Sequence, residues 1–152
     1  MPQKNFIAAE DALAVARAKA AGAVVIGKTN VPVGLADWQS YNDIYGVTGN
    51  PFDTGRTPGG SSGGSSAALA AGYGPLSLGS DIGGSLRSPA HFCGVAGLKP
   101  TSGRVPRTGH AIGPHGAAEW LTQLGPIARS VGDLQLVLER IAGPDAGDPS
   151  CV

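Results

Sequence analysis

Pro58-Gly59-Gly60-Ser61-Ser62-Gly63-Gly64-Ser65-Ser66 and Gly79-Ser80-Asp81-Ile82-Gly83-Gly84-Ser85-Leu86-Arg87 are the two stretches whose reading decides the fold. Glycine lets the backbone turn sharply and approach a ligand closely, and each loop sets hydroxyls among such residues. Ser61 and Ser85 are 24 residues apart. Taken singly, each loop has a plain explanation: the first as a flexible Gly/Ser linker, Ser85 as a helix N-cap. Taken together they are harder to dismiss, because each leads into a helix start and presents hydroxyls beside it. The pair suggests a nucleophile, a proton relay and an oxyanion hole.

The surrounding pattern predicts helices alternating with short buried strands, an α/β layered architecture. Residues 8–21 read as a helix with Ala9, Leu13, Ala16 and Ala20 on one face. Glu10 and Asp11 suit its positive end, Arg17 and Lys19 its negative end, and Gly22 stops it. Residues 23–26 read as an apolar strand. Residues 30–57 read mostly as loop, with Trp38, Tyr41, Tyr45 and Phe52 anchoring it to the body. Residues 67–72 continue the first serine loop as a helix of small residues. Residues 76–78 form a buried strand entering the second loop, and Ser85 stands near the start of a short helix through Cys93. Residues 94–125 read as irregular. Ser130 and Asp133 resemble a capping pair, Leu134, Val137, Leu138 and Ile141 make one apolar stripe, and Gly143-Pro144 ends the last helix. Residues 1–145 are expected to form one domain, with 146–152 a frayed tail.

Composition narrows the class. The formal net charge is zero, so nothing favours nucleic acid or an anionic membrane surface. No apolar run approaches the roughly 18 residues a transmembrane helix needs, and the N-terminal residues carry no signal-peptide pattern. Cys93 and Cys151 match no metal or redox spacing; Cys93 beside Phe92 reads as a small buried hydrophobe. A cytoplasmic, reducing setting is the expectation.

Two apparent motifs fail on context. Residues 22–29 match a phosphate-binding loop letter for letter, but a helix precedes them and Asn30-Val31-Pro32 follows, where that motif requires a strand before and a helix after. Gly59-Gly60-Ser61-Ser62-Gly63 matches a nucleophile elbow, but the preceding stretch is polar where an elbow requires an apolar strand. Nothing in the sequence ties His91, His110 or His115 to either serine.

Residues 57–101, with Gly27-Lys28-Thr29-Asn30 and Gly125-Pro126-Ile127-Ala128-Arg129-Ser130 on the flanks, resemble the amidase signature family. The stretch from Cys93 to Thr101, Cys-Gly-Val-Ala-Gly-Leu-Lys-Pro-Thr, adds specificity to that resemblance. The resemblance implies a mixed-sheet α/β/α core and amide hydrolysis through a Ser–cis-Ser–Lys triad, with Ser85 as nucleophile and Ser61 as the cis serine. It further implies an oxyanion hole from the backbone N–H groups of Ile82, Gly83, Gly84 and Ser85, with Ser62 as a supporting hydroxyl and Asp81 and Arg87 as a structural ion pair. A serine hydroxyl is a weak nucleophile without an adjacent base, and a lysine serves as that base only when its pKa is lowered enough to leave it neutral.

The triad lysine of the resembled family lies upstream of what this chain offers. Lys4 and Lys19 lie in no matching motif, while Lys28 and Lys99 match family positions other than the base. The expectation is a central piece of an amidase, truncated at both ends. A small-molecule amide is the expected substrate, with no metal or organic cofactor, and a homo-oligomer is left open. Two alternatives to an amide hydrolase remain: a catalytically inactive fragment, and part of an amidotransferase A-type subunit.

Overall fold

The computed structural model describes residues 4–110 and 120–151. Its frame is a three-stranded antiparallel sheet of β3 (Leu76–Asp81), β5 (Gln123–Ala128) and β4 (Ala96–Gly97), in the order β3-β5-β4. Helices α1 (Leu13–Ala20), α2 (Gly63–Ala70), α3 (Arg87–Phe92) and α4 (Val131–Ile141) surround it, and a small hairpin, β1 (Tyr41–Asn42) with β2 (Gly46–Val47), stands apart.

The register sorts side chains onto two faces. Directly opposed residues of an antiparallel pair share a face, and the face alternates with each residue. Leu76 opposes Ala128, Leu78 opposes Pro126 and Ser80 opposes Leu124. On this face Leu76, Leu78 and Leu124 pack with Ala14 and Ala18 of α1 and Val137, Leu138 and Ile141 of α4. Ser77 opposes Ile127 and Gly79 opposes Gly125 on the other face, where Ile127 packs with Leu69 of α2 and with Leu86. Helix, sheet and helix form three layers, the α/β/α arrangement expected from the resemblance.

Several elements follow the sequence reading. Ser130 caps α4, its hydroxyl accepting from the Asp133 N–H at 3.2 Å, and Leu134, Val137 and Ile141 are its buried stripe. Gly22, with φ +95°, ends α1: its N–H donates to Lys19 O, and Ala23 N–H to Ala18 O, the paired bonds of a Schellman motif. Cys93 is fully buried, and burial pushes its thiol pKa up to about 11.

Others differ. α1 begins at Leu13 rather than residue 8, and it buries Ala14 instead of the predicted face. Residues 23–26 are not a strand: Val24, Val25 and Ile26 are exposed, with no neighbouring strand to pair with or layer to cover them among the described residues. α2 starts within the serine loop, at Gly63. Within residues 94–125, read as irregular, lie β4 and the first half of β5. Gly125 lets the Leu98 carbonyl press onto the strand.

The predicted aromatic anchors are largely solvent-exposed, Trp38, Tyr45 and Phe52 among them. Amides hold the loop instead: Asn30 Nδ2 donates to Gly46 O and Thr48 Oγ1, and Asn50 Nδ2 to Phe92 O at 2.8 Å. Residues 146–151 pack on the body of the chain. Arg107 donates to both carboxylate oxygens of Asp148, at 3.0 and 2.8 Å, and Asp148 and Cys151 are buried.

Candidate active site

The second serine loop leaves the end of β3, where Asp81 is wholly buried. Its carboxylate accepts from the N–H groups of Gly84 (2.8 Å), Leu86 (3.0 Å) and Arg87 (3.3 Å), so one side chain folds the whole turn from Ile82 to Leu86 around itself. The Arg87 guanidinium closes the arrangement with a two-pronged bond, Nε to Oδ2 at 3.0 Å and Nη2 to Oδ1 at 2.9 Å. Burial by itself would raise the Asp81 pKa. The Arg87 guanidinium and the three backbone amides outweigh it and hold the group at about 2. The pair is therefore internal on the carboxylate side, although Arg87 itself is 56% exposed.

Close contact with neighbouring backbone holds the first loop. Gly59 has φ +82°, and a Cβ there would stand 2.8 Å from Pro89 Cα. A Cβ on Gly60 would stand 2.7 Å from Gln39 N and 2.8 Å from Asp37 O, so residues 37–39 lie directly against the residue preceding Ser61. The Gly60–Ser61 peptide is cis. The Ser40 hydroxyl, itself buried, donates to Gly59 O at 3.1 Å and Ser61 O at 3.3 Å.

The two loops meet. Ser62 N–H donates to Ser85 O at 3.1 Å. Ser61 and Ser85 both line a cavity of about 450 Å³, together with Ser80, Ile82, Gly83 and Thr122. Ser61 is buried and Ser85 half-buried at its wall.

Two of the expected site residues face elsewhere. Gly84 does not line the cavity, and its N–H is committed to Asp81. Ser62 holds the loops together through its backbone, while its hydroxyl points to Ser80 O at 3.5 Å rather than into the cavity. Asp81 and Arg87 act on the site by shaping the turn.

The cavity lining also holds residues the sequence reading does not place at the site: Leu35, Asp37, Trp38 and His110. Leu35 has φ +58°, an uncommon conformation for a residue with a branched side chain. Asp37 accepts from the Tyr41 hydroxyl at 3.1 Å, and that bond, with the carboxylate's charge, raises the Tyr41 pKa. The signal available in the sequence was an acid next to a tryptophan in a segment with no helical or strand period. His115 lies outside the described residues.

A chain with these joined serine loops on this layered sheet belongs to the amidase family, the amidase-signature enzymes, whose family model, Amidase, matches residues 3–152. It is 54% identical over 145 residues to the A-type subunit of the glutamyl-tRNA(Gln) amidotransferase of Thermus thermophilus, an alignment covering 95% of this chain and 30% of the relative. Among solved structures, the corresponding glutamyl-tRNA(Gln) amidotransferase subunit of Thermotoga maritima superposes with a TM-score of 0.91 at 42% identity, covering 97% of this chain and 32% of that one. A 6-aminohexanoate cyclic dimer hydrolase, complexed with substrate, superposes with a TM-score of 0.88 at 40% identity, covering 99% and 31%. The chain thus spans about 30% of the length of the curated relatives it matches.

Proposed function

We propose that this cavity is the nucleophile half of a carboxamide-cleaving site. Ser85 Oγ attacks the amide carbonyl carbon. Its proton passes to Ser61 Oγ as Ser61 yields its own proton to a base. The carbonyl oxygen becomes an oxyanion, which the N–H groups of Ile82, Gly83 and Ser85 stabilise by about 3–4 kcal/mol per well-aimed donor. The C–N bond then breaks, the leaving nitrogen takes back the proton, and water hydrolyses the Ser85 ester to the carboxylate. One observation carries this reading: Ser61 and Ser85, brought from separate loops, line one cavity, with the loops joined by the bond from Ser62 N–H to Ser85 O.

The base beyond Ser61 is the open position in this scheme. Lys4, Lys19, Lys28 and Lys99 are not among the described residues lining the cavity. The family resemblance calls for a neutral lysine there. The test is ammonia release from a primary carboxamide by the protein expressed from its complete reading frame. Ser85→Ala and Ser61→Ala should each lower kcat/KM by at least about 10³-fold, and the double variant should fall little further, since residues acting as a unit are not additive. Full activity in either single variant would overturn the assignment. Absence of release in the parent protein would favour the inactive alternative.

A second reading, part of an amidotransferase, rests on the names of the relatives in Thermus thermophilus and Thermotoga maritima. There the released nitrogen goes to an acceptor rather than to solvent. Transfer of the amide nitrogen to an added acceptor in place of free ammonia, seen only when another protein chain co-purifies, would favour it.

A further inference from the structure

The segment of the cavity wall beside Ser61 carries chemistry that amide cleavage does not use. Asp37 is the one carboxylate among the described residues lining the cavity, and Trp38 beside it is 66% exposed. Neither is held in place by burial in a core. Two other features fix the segment. Its backbone abuts Gly60, so the wall sits immediately behind Ser61. The Tyr41 hydroxyl, on β1, donates to Asp37 Oδ2 at 3.1 Å and orients the carboxylate. The turn that delivers the segment runs through left-handed backbone at both Gly34 (φ +63°) and Leu35 (φ +58°). A non-glycine residue there is strained, and such conformations cluster at ligand-binding positions.

A carboxylate beside an open indole face is the pairing that recognises a cation. The carboxylate supplies the countercharge, and the ring's negative face adds an attraction for ammonium or guanidinium. We infer that Asp37 and Trp38 form a specificity subsite, so that the amide accepted at Ser85 carries a positively charged group on the part of the molecule reaching that wall. This rests on the reading of the cavity as an amide site. It goes further by naming the charge of the substrate and the residues that select it.

The test uses two matched amides, 4-(aminomethyl)benzamide, a cation at neutral pH, and 4-methylbenzamide, which is neutral. Binding is measured by calorimetry on the Ser85→Ala form of the protein expressed from its complete reading frame, which leaves turnover out of the readout. The expected result is about 10-fold tighter binding of the cation at low salt. The preference should fall below about 2-fold in Ser85→Ala/Asp37→Asn, survive in part in Ser85→Ala/Asp37→Glu, and weaken as salt is raised. Equal affinities in the Asp37 form, failure of the cationic amide to bind, or a preference that persists in the Asn variant would overturn the inference. Circular dichroism of the Asn variant confirms that the fold is kept; if it is not, the Glu variant and the salt dependence decide. Ammonia release from 4-methylbenzamide by the parent protein judges the catalytic reading separately. Cation preference without release sinks the catalysis and keeps the subsite, and release without preference does the reverse.

Discussion

Asp81 works at the scale of a single residue by accepting from three backbone amides and a guanidinium at once. Its pKa is depressed from 3.8 to about 2 in the folded protein. A depressed carboxyl stabilises the fold above its unfolded pKa and loses that contribution as pH falls through the folded one. Stability from this group should be fully present above about pH 5 and disappear between pH 4 and 2, a loss of about 2 kcal/mol. Chemical denaturation of the parent and of Asp81→Asn across pH 2–6 checks it. The parent should lose stability toward acid by about that much more than the variant, and parallel curves would contradict the account. The two serine loops were legible as tight turns because hydroxyls lie among glycines, whereas the roles expected of Ser61, Ser85, Asp81 and Arg87 came from the family resemblance. The commitment of the Gly84 amide to Asp81 was not legible, since it depends on which way one N–H points within the turn. Asp37 was not legible for a different reason: what makes it part of the site is contact with Gly60 across 23 residues of chain.

At the scale of elements, Arg17 joins two helices. The sequence reading set it against the negative end of its own helix, α1. It reaches instead to the end of α4, where Nη1 donates to the carbonyls of Ile141, Ala142 and Gly143 at 3.0–3.1 Å and Nη2 to Pro144 at 2.7 Å. The last carbonyls of a helix have no partners within it, and a planar fork of donors can serve several together. Arg17→Lys keeps the charge and loses the fork. It should cost about 1–2 kcal/mol in equilibrium unfolding, whereas an unchanged midpoint would show that charge alone suffices. α4 was readable in full because its cap, stripe and stop agree. β5 was not legible as a strand, because a glycine and a proline interrupt its pattern, and its place as the central strand comes from pairing on both edges. The run at 23–26 failed in the opposite way: β-branched residues predict a strand, but a strand also requires a partner, and none of the described residues is paired with it.

For the whole molecule, that run matters again. Val24, Val25 and Ile26 are 84%, 59% and 78% exposed, with Phe6 at 63% and Ile7 at 89% in the preceding segment. Contiguous exposed apolar residues drive association. The 152-residue chain should self-associate at micromolar concentration in light scattering, and Val24→Lys/Ile26→Lys should reduce that; a clean monomer with a sharp cooperative melt would contradict it. The layered α/β class was legible from the alternation of helix and strand patterns, and the three-layer form from the family resemblance. The measurement that bears most directly on the central claim is peptide mapping of the protein, expressed from its complete reading frame, after reaction with a fluorophosphonate probe. Modification of Ser85 at one probe per chain, abolished in Ser85→Ala and much slowed in Ser61→Ala, is the predicted result. Modification of another residue, or labelling that survives in Ser85→Ala, would show that Ser85 is not the nucleophile.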